Sequence, residues 1–470
     1  MLVALVPLLW AWRGARPRHA ALYGFAFGVA CYGVVIPWIR YFGYVALIPL
    51  VVAMAAAIAV VGALVASFAT RRLVSPFLTA AVWVVLEALR GRWPLGGFPW
   101  ADLGVALHDV PAARALASFG GTLLVTFVVV AVNGCALELG LAVANRRPHA
   151  GLLSGAGLAG AGLAGLLLVS VVADVARYEP RTTGHLRVAL LQGDDEQLPL
   201  AAQTNQLLTA KHLALAAQLR GHYDLIVFPE SSLDTDPEAD PALRQQLTAI
   251  AREHGASVLV NARTVGTNDQ YRNTNRLYTP TGRLQGSYSK QHLVPFGEYV
   301  PWRDQLSFLS ELRQIPYDFQ AGHSRTIFHV AGHAFGSVIC FESAFAPLVR
   351  DYVRDGAQVI VVSTNNRSYQ RSGNSEQHLA SSQMRAAETG RPVLQASVSG
   401  ISAVIEPDGT VHDTTRLFQP AIVRATMPTT TGETPYVRFG DWVVIGCGIA
   451  LVIVTVFAIR RPVTVTSPTA

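Results

Sequence analysis

Long apolar runs separated by short polar segments fill the first 175 residues of the chain. A helix needs about 20 apolar residues to cross the hydrocarbon core of a bilayer. Runs of suitable length occur at residues 20–38, 44–68, 74–90, 116–142, 150–174 and 441–460. Met1–Trp12 is apolar but short, and it lacks the basic start and small-residue cleavage site of a signal peptide. The pattern predicts a polytopic α-helical membrane bundle at residues 1–175.

Residues 180–438 follow a different pattern, in which short buried-type strands alternate with amphipathic helices. Strands are predicted at residues 186–192, 224–229, 257–261, 335–340, 358–363, 393–397 and 401–406, with a hairpin at 273–290. Helices are predicted at residues 201–219, 241–254, 344–354 and 376–389. This part is therefore expected to be an α/β domain whose sheets are covered by helices. Residues 440–461 are predicted to form a C-terminal transmembrane helix, and residues 462–470 a cytoplasmic tail.

Basic residues cluster in short loops between the apolar runs. The clusters are Arg13–His19, Arg71–Arg72, Arg146–Arg147 and Arg460–Arg461. They fall on alternate loops, and basic loops mark the cytoplasmic side of a membrane. This places the 180–440 domain outside the cytoplasm. It also places Met1 outside, so we expect one further helix to be encoded upstream of Met1.

Composition changes this picture little. Charged residues make up 14% of the chain, compared with about a quarter in soluble proteins, and the net charge is +6. The excess of positive charge is explained by the loop clusters, and no interleaving of basic and aromatic residues suggests a nucleic-acid partner. Of the four cysteines, three lie in apolar runs and only Cys340 lies in the α/β domain. That domain can form no internal disulfide, and no cysteine or histidine spacing suggests a metal site.

Three polar residues stand where predicted strands end. Glu230 follows one strand, Lys290 leaves the hairpin, and Cys340 ends another strand. Ligand sites of open α/β folds gather at the carboxyl ends of strands. A thiol has a free pKa of about 8.5 and needs a base, which a carboxylate supplies, while a cation stabilises an oxyanion. The three groups together suffice for acyl transfer. Taken singly, Glu230 could equally support a helix N-cap, Lys290 could be a surface charge and Cys340 could fill the core.

Local motifs favour the chemical interpretation. The stretches Val227–Ser231 (VFPES), Lys290–Pro301 (KQHLVPFGEYVP) and Ser337–Ser343 (SVICFES) resemble, in order, the three motifs of the nitrilase (carbon–nitrogen hydrolase) superfamily. The HLVPFGEYVP version, placed between membrane helices, resembles the apolipoprotein N-acyltransferases. Further matching stretches are Gly96–Trp100 (GGFPW), Gln192–Asp194 (QGD), Met384–Pro392 (MRAAETGRP) and Gly400–Gly409 (GISAVIEPDG).

The resemblance implies an αββα sandwich on a bundle of membrane helices. It implies that Cys340 is the nucleophile, that Glu230 is the general base, and that Lys290 and the backbone N–H of Phe341 hold the oxyanion. Glu298 and Glu342 would orient Lys290 or the thiol. The implied reaction is a ping-pong transfer of a fatty acyl chain from a phospholipid, through a thioester, to a diacylglyceryl-modified apolipoprotein. It needs no metal or other cofactor.

The resemblance also points to candidate lipid contacts. The loop Arg90–Pro111 contains Trp93, Phe98 and Trp100 among glycines and prolines, and tryptophan prefers the membrane interface. An ordinary interfacial loop explains this pattern about as well. Asn365 and Asn366 lie in Thr364–Gln370 (TNNRSYQ), which in the family is SNDAWFG-like, and Ser368 replaces an aromatic residue there. A tryptophan frequent in the family is missing from Gln197–Leu200. Glu87 and Glu138 lie in or near apolar runs, where carboxylates are either functional or at helix ends.

The sequence thus predicts a multi-pass protein of the plasma membrane with an extracytoplasmic catalytic domain. Membrane lipids, a phospholipid donor and an apolipoprotein acceptor are its expected partners. Two alternatives remain at this stage. One is a membrane-tethered amidase that hydrolyses a small amide with the same three residues. The other is a degenerate relative that acts as a non-catalytic scaffold, which the intact Glu230, Lys290 and Cys340 disfavour.

Overall fold

The structure, a computed structural model, describes residues 2–69, 75–144, 155–194, 203–267, 270–309, 312, 315 and 317–460. The expectations for residues 71–72, 146–147, 197–200 and 461–470 lie outside this part of the chain. Two compact units are present. The helical unit comprises Met1–Pro37, Leu47–Arg177 and Asp441–Ala470, and the α/β unit comprises Trp38–Ala46 and Tyr178–Gly440.

Helices of the helical unit follow the apolar runs of the sequence. They are α1 (Val6–Trp12), α2 (Pro17–Val35), α3 (Tyr44–Ala69), α4 (Pro76–Arg90), α5 (Pro111–Ala144), α6 (Gly155–Val175) and the last helix of the chain, Trp442–Arg460. Within the described residues, four helices are long and apolar enough to cross a membrane: Tyr44–Ala69, Pro111–Ala144, Gly157–Val175 and Trp442–Arg460. This confirms a membrane bundle. Helix α5 is interrupted at Gly120–Gly121, where Gly121 has a φ of 72° that favours glycine.

Among its described residues, the α/β unit has two six-stranded sheets. The first has the order β12-β1-β2-β3-β4-β5 and the second the order β11-β10-β9-β8-β7-β6. The strands are β1 (Arg181–Gln192), β2 (Leu225–Val227), β3 (Ser257–Val265), β4 (Tyr271–Tyr278), β5 (Leu284–Ser289), β6 (Ile327–Val330), β7 (His333–Ile339), β8 (Val359–Thr364), β9 (Val393–Ser397), β10 (Ala403–Ile405), β11 (Val411–His412) and β12 (Ala421–Thr431). The central strands β1-β2-β3 and β7-β8-β9 are parallel within each sheet. This is the nitrilase-like fold expected from the sequence.

Helices cover the sheets of the α/β unit. They are α7 (Gln203–Ala216), α8 (Pro241–His254), α9 (Ala346–Arg354), α10 (Asn374–Thr389) and α11 (Pro435–Phe439), and the last helix of the helical unit is numbered α12. Helices α7 and α8 close an apolar core over β1, β2 and β3. Helix α9 packs on β7 so closely that a Cβ at Gly336 would come within 2.6 Å of the Tyr352 ring. Between the sheets, Asn275 on β4 donates to Ser337 on β7 at 2.7 Å.

One short segment lies in the α/β unit although it interrupts the membrane sequence. Trp38 stacks edge-on against Tyr369 at 4.9 Å between ring centroids, and its indole N–H donates to Gln377 at 3.0 Å. Phe42 contacts the same tyrosine ring at 5.5 Å. Aromatic pairs of this geometry stabilise beyond the area that they bury. The apolar run of the sequence gave no sign that these residues would join the α/β unit.

Candidate active site

Glu230, Lys290 and Cys340 lie in three loops that follow the strands β2, β5 and β7. Glu230 follows β2 by three residues, Lys290 directly follows β5, and Cys340 directly follows β7. All three side chains are buried, with exposed fractions of 5%, 2% and 6%. Ionisable side chains are almost never buried this deeply without partners. Their contacts therefore decide whether they form one site.

Lys290 lies between two carboxylates. Its Nζ is 3.3 Å from Glu230 Oε1 and 3.0 Å from Glu298 Oε1. The side-chain amide of Asn273 donates to the same two oxygens at 2.7 and 3.1 Å. Burial opposes the charge on Lys290, but the two carboxylates outweigh it and raise its pKa well above the usual value. Lys290 is therefore a fixed cation rather than a proton carrier.

The second oxygen of Glu230 is held by the loop after β8. The backbone N–H of Asn365 donates to Glu230 Oε2 at 2.8 Å. Glu298 is fixed in a similar way, because the backbone N–H of Val294 donates to its Oε2 at 2.8 Å. Both carboxylates are thus oriented before any substrate arrives, which is the arrangement that catalytic electrostatics require.

Cys340 occupies a sharp turn between β7 and a short 3-10 helix, Cys340–Ala344. Its φ of 53° lies in the left-handed region, which a residue with a Cβ adopts only at a cost of about 1–2 kcal/mol. Strain of this kind concentrates at functional sites. The conformation puts the thiol at the carboxyl edge of the second sheet.

The resting cysteine is a thiol rather than a thiolate. Burial raises the pKa of Cys340 to about 12, and the Glu230 carboxylate contributes in the same direction. Lys290, the Thr364 hydroxyl and the Asn365 backbone N–H act in the opposite direction and offset only part of the shift. The sequence suggested a sulfur ionised by its acidic neighbour. The correction is that a negative charge near the sulfur disfavours the thiolate, so the proton must leave during attack.

Glu342 supports the turn from behind. Its Oε2 accepts from the backbone N–H of Ile339 at 2.8 Å. Its Oε1 accepts from the Tyr288 hydroxyl at 2.8 Å and from the backbone N–H groups of Gln291 and His292 at 2.6 and 3.1 Å. Burial raises the pKa of Glu342 to about 7, while these donors and Lys290 limit the rise. The carboxyl therefore connects the turn at Cys340 to the segment after Lys290.

Phe341, the predicted second oxyanion donor, is the residue next to the nucleophile in this turn. Its side chain is buried and packs edge-on against Phe345 at 5.0 Å between centroids. The His292 ring stacks on the Phe345 ring at 3.9 Å between centroids. Aromatic packing thus holds the 3-10 helix against the segment that follows Lys290.

The predicted lipid contacts have unequal positions. Trp93 is 67% exposed, whereas Trp100 is 4% exposed and stacks with Phe98 at 6.4 Å. The guanidinium of Arg90 donates to the backbone carbonyls of Phe98 and Trp100 at 2.9 Å each. Trp93 therefore fits a membrane-interface contact best. The burial of Trp100 does not favour such a contact, and these assignments stay predictions.

Asn365 and Asn366 also differ in their hydrogen-bond partners. The backbone of Asn365 touches Glu230, and its side-chain oxygen accepts from the backbone N–H of Arg367 at 3.0 Å. Asn366 is 1% exposed, and its amide nitrogen donates to Asn374 at 2.8 Å. The geometry gives Asn366 a supporting position behind the loop. The burial of Asn366 and its hydrogen bond to Asn374 do not favour the predicted contact with lipid, which stays a prediction.

Sequence reasoning missed several residues that support this site. Asn261 on β3 donates to the side-chain oxygens of Asn273 and Asn275 on β4 at 2.8 and 2.9 Å. The two asparagines of the sequence Asn273–Thr274–Asn275 were the available signal, because residues i and i+2 of a strand lie on the same face. Thr364 and Tyr369 carried no such signal. No group of three metal-ligating side chains is found within the part of the chain that the structure describes.

Known proteins match this chain over both units. The family model of the apolipoprotein N-acyltransferase N-terminal domain matches residues 1–135, and that of the carbon–nitrogen hydrolases matches residues 187–436. The apolipoprotein N-acyltransferase of Methylococcus capsulatus is 31% identical, with 98% of this chain and 91% of the relative covered. That of Geobacter metallireducens is 29% identical with the same coverage, and that of Nitrosomonas europaea is 32% identical over 93% of this chain and 88% of the relative.

Among solved structures, an amidase from Nesterenkonia sp. is 22% identical, with a TM-score of 0.40. The match covers 53% of this chain and 92% of the amidase. The sequence relatives, by contrast, span both units at substantial identity. The chain belongs to the apolipoprotein N-acyltransferase family, and it is an acyltransferase with a carbon–nitrogen hydrolase catalytic domain.

Proposed function

We propose that this chain moves a fatty acyl chain from a membrane phospholipid to the N-terminal amine of a diacylglyceryl-modified lipoprotein, through a thioester on Cys340. The observation that carries the proposal is the buried cluster in which one cation, two oriented carboxylates and one thiol meet at strand ends. The family membership supports the substrate class. No cofactor takes part in the proposed steps.

In the first step, the Cys340 sulfur attacks the ester carbonyl carbon of the phospholipid. Glu230 takes the thiol proton as the carbon–sulfur bond forms, since the pKa of about 12 leaves little thiolate at rest. The carbonyl oxygen becomes an oxyanion that Lys290 and the backbone N–H of Phe341 stabilise. The ester carbon–oxygen bond then breaks, and the lysophospholipid alkoxide leaves with the proton from Glu230.

In the second step, the lipoprotein amine attacks the thioester carbonyl carbon. Glu230 now takes a proton from the amine nitrogen, and the same two donors hold the second oxyanion. The carbon–sulfur bond breaks, the amide forms and the sulfur regains its proton. An amide is more stable than a thioester, so this step runs downhill. The alternation of donor and acceptor gives ping-pong kinetics.

Glu298 and Glu342 act as positioning residues in this scheme. Glu298 holds Lys290 through a hydrogen bond of 3.0 Å. Glu342 holds the Cys340 turn against the segment after Lys290. We further propose that Trp93, with Phe98, Trp100, Asn365 and Asn366 as weaker candidates, contacts lipid. The high exposure of Trp93 supports its place in this group.

We assign residues 1–175 and 440–461 to the plasma membrane and residues 180–438 to an extracytoplasmic catalytic domain. The alternation of basic loops supports this orientation. Thr281, in the exposed turn between β4 and β5, offers a reporter site. We expect T281C to react with a membrane-impermeant maleimide on intact cells, whereas H19C in the predicted cytoplasmic loop reacts only after permeabilisation. The reverse labelling pattern would show a cytoplasmic catalytic domain.

Substitution of the nucleophile tests the reaction itself. The full-length protein in phospholipid vesicles is mixed with a diacylglyceryl lipopeptide, and mass spectrometry records acylation of both protein and peptide. We expect the wild type to carry a hydroxylamine-sensitive acyl group and C340A to give neither adduct nor product. The matched variant C447A, which removes another buried cysteine, retains activity. Full peptide acylation by C340A would refute the proposal, and release of free fatty acid or hydrolysis of small amides alone would indicate the amidase.

A further inference from the structure

We propose that His378 is a positioning residue for the nucleophile, holding the strained backbone of Cys340 and ordering the Thr364 hydroxyl beside the sulfur. His378 lies on α10, is 1% exposed and has no place in the steps described above. The inference rests on the proposed role of Cys340 as the nucleophile. It adds a residue that contacts the backbone of the nucleophile rather than its sulfur.

The first contact is to the backbone of the nucleophile. His378 Nε2 lies 3.1 Å from the carbonyl oxygen of Cys340. A carbonyl oxygen only accepts hydrogen bonds, so Nε2 must carry the proton. Because the φ of 53° at Cys340 is intrinsically unfavourable, an external donor to its carbonyl helps to keep the turn in place.

The second contact is to the loop after β8. With the proton on Nε2, a neutral imidazole has an acceptor at Nδ1. This nitrogen lies 3.3 Å from both the Thr364 hydroxyl and the Asn366 amide nitrogen. Burial lowers the pKa of His378 to about 4, which keeps the ring neutral and Nδ1 an acceptor under physiological conditions. One ring thus connects the nucleophile's turn to the loop that faces its sulfur.

The surrounding hydrogen bonds leave the Thr364 proton available to sulfur. Asn366 Oδ1 accepts from the Ser397 hydroxyl at 3.1 Å as well as from Thr364 at 3.2 Å. The Asn366 amide nitrogen can supply a proton to His378 Nδ1. The two acceptors near the Thr364 hydroxyl, Asn366 Oδ1 and His378 Nδ1, therefore each have another donor. The Thr364 hydroxyl also lowers the pKa of the Cys340 thiol and so favours its ionised form. As negative charge grows on sulfur, the hydroxyl can turn fully to it without leaving an acceptor unsatisfied.

Two substitutions separate the two ends of the ring. In H378Q, the longer amide can still donate to the Cys340 carbonyl from near the Nε2 position. In H378N, the shorter amide reaches only the Nδ1 position and loses that donor. We expect H378N to lower kcat for thioester formation about 100-fold, the effect of a displacement of about 1 Å, with KM for phospholipid changed less than about twofold. We expect H378Q to recover at least about a tenth of the wild-type kcat.

Alkylation of Cys340 supplies a readout that does not depend on acyl transfer. The rate of reaction with iodoacetamide is measured against pH on the full-length protein in detergent. We expect H378N and T364V each to slow alkylation about tenfold at mildly alkaline pH, equivalent to a rise of about one unit in the thiol pKa. T364S restores the hydroxyl and the rate. In the double variant H378N/T364V the effects should be less than additive, because both disturb one pairing of the Cys340 sulfur with the Thr364 hydroxyl. H378N releases the turn that carries the sulfur, and T364V removes the hydroxyl.

His212 provides the matched control. It is fully buried in α7, its pKa is also lowered to about 4 by burial, and its Nε2 accepts from the backbone N–H of Gly193 at 3.1 Å. Its other nitrogen contacts the Leu208 carbonyl at 2.9 Å, so it touches neither Cys340 nor Thr364. We expect H212N to lower thermal stability as much as H378N without a change in kcat or alkylation of the folded protein.

The outcomes are distinguishable. Wild-type kcat and alkylation in folded H378N would overturn the positioning role. Equal losses of kcat in H378N, H378Q and H212N would show that only packing matters, which also overturns it. If the wild type failed to transfer acyl chains at all, the proposed function would fail, while slower alkylation in H378N and T364V would still support the positioning of the thiol.

Discussion

The helical unit and the α/β unit each bury one cation between two carboxylates. In the helical unit, Arg90 lies 2.5 Å from Asp102 and 3.7 Å from Glu87. In the α/β unit, Lys290 lies 3.3 Å from Glu230 and 3.0 Å from Glu298. Both clusters are nearly inaccessible to solvent. Burial and charge count alone therefore do not tell a structural cluster from a catalytic one.

The two cations differ in how their donors are used. The planar guanidinium of Arg90 also donates to the carbonyls of Phe98 and Trp100, and it packs over the Tyr32 ring at 5.8 Å. These contacts fasten the loop after α4 to the helix from which it leaves. Such a fork of fixed donors suits a permanent connection.

Lys290 has a compact charge with three donors, of which two face Glu230 and Glu298. Beside it stands Cys340, a neutral thiol on strained backbone. The helical cluster has no nucleophile next to it among the contacts described. The comparison teaches that a reactive group beside the cation, rather than the ion pairs, distinguishes the proposed catalytic cluster.

The largest expected effect comes from the carboxylate beside the thiol. We expect E230Q to slow thioester formation about 1000-fold, because without a base the buried thiol keeps its proton. Single-turnover mass spectrometry of the intact protein measures this rate. E87Q, which changes the corresponding carboxylate of the helical cluster, should keep the rate within about twofold and lower only thermal stability. A rate in E230Q above a tenth of the wild type would exclude Glu230 as the base.

Replacement of each cation by the other basic residue type tests the comparison further. Lysine cannot reproduce the three hydrogen bonds of Arg90, so R90K leaves Asp102 and two carbonyls poorly paired in a buried place. We expect a loss of about 3 kcal/mol in the free energy of unfolding, with kcat of the surviving folded protein unchanged. Thermal inactivation in detergent, followed by size-exclusion chromatography, measures the loss.

K290R is the corresponding substitution in the α/β unit. The side chain of Lys290 is only 2% exposed, and a guanidinium is too large and too flat to occupy its place without moving Glu230 or Glu298. We expect K290R to fold and to lower kcat about 100-fold. A stability loss in K290R equal to that of R90K, with normal kcat, would remove the distinction between the two clusters.

Much of the fold could be predicted because local signals agreed with tertiary packing. Helix α8, Pro241–His254, was predicted with its observed bounds: Asp240 caps its first turn, and Gly255 ends it in the left-handed conformation. Strand β9 likewise matched its prediction at Val393–Ser397. By contrast, β6 and β12 were missed. Both lie at sheet edges, where partly exposed positions weaken the apolar pattern.

The site was predictable only where residues stand in recognisable motifs. Glu230, Lys290 and Cys340 follow strands and lie in local patterns that the family shares. His378 could not be found in this way, because its position depends on a partner 38 residues away in sequence. Nor could a sequence motif show that burial would raise the thiol pKa, because desolvation depends on all the surrounding chain.

The smallest expected effect is a pH dependence of stability from Glu342, the carboxyl that supports the Cys340 turn. Burial raises its pKa from the ordinary value of 4.5 to about 7. Between these values the folded protein binds a proton that the unfolded chain has lost, so the free energy of unfolding falls as pH rises through this window. We expect the stability of the wild type relative to E342Q, which cannot titrate there, to fall by about 2 kcal/mol between pH 5 and 7.

Thermal unfolding of the wild type and E342Q over that pH range measures the difference in stability. The contributions of other titrating groups cancel between the two proteins. E342Q loses an acceptor for the donors at the Cys340 turn, so it should be less stable than the wild type at pH 5, and the gap should narrow toward pH 7. A gap that stays constant with pH would mean that Glu342 ionises freely in the folded state. In that case the Glu342 carboxylate would carry its negative charge beside the Cys340 turn over most of this pH range.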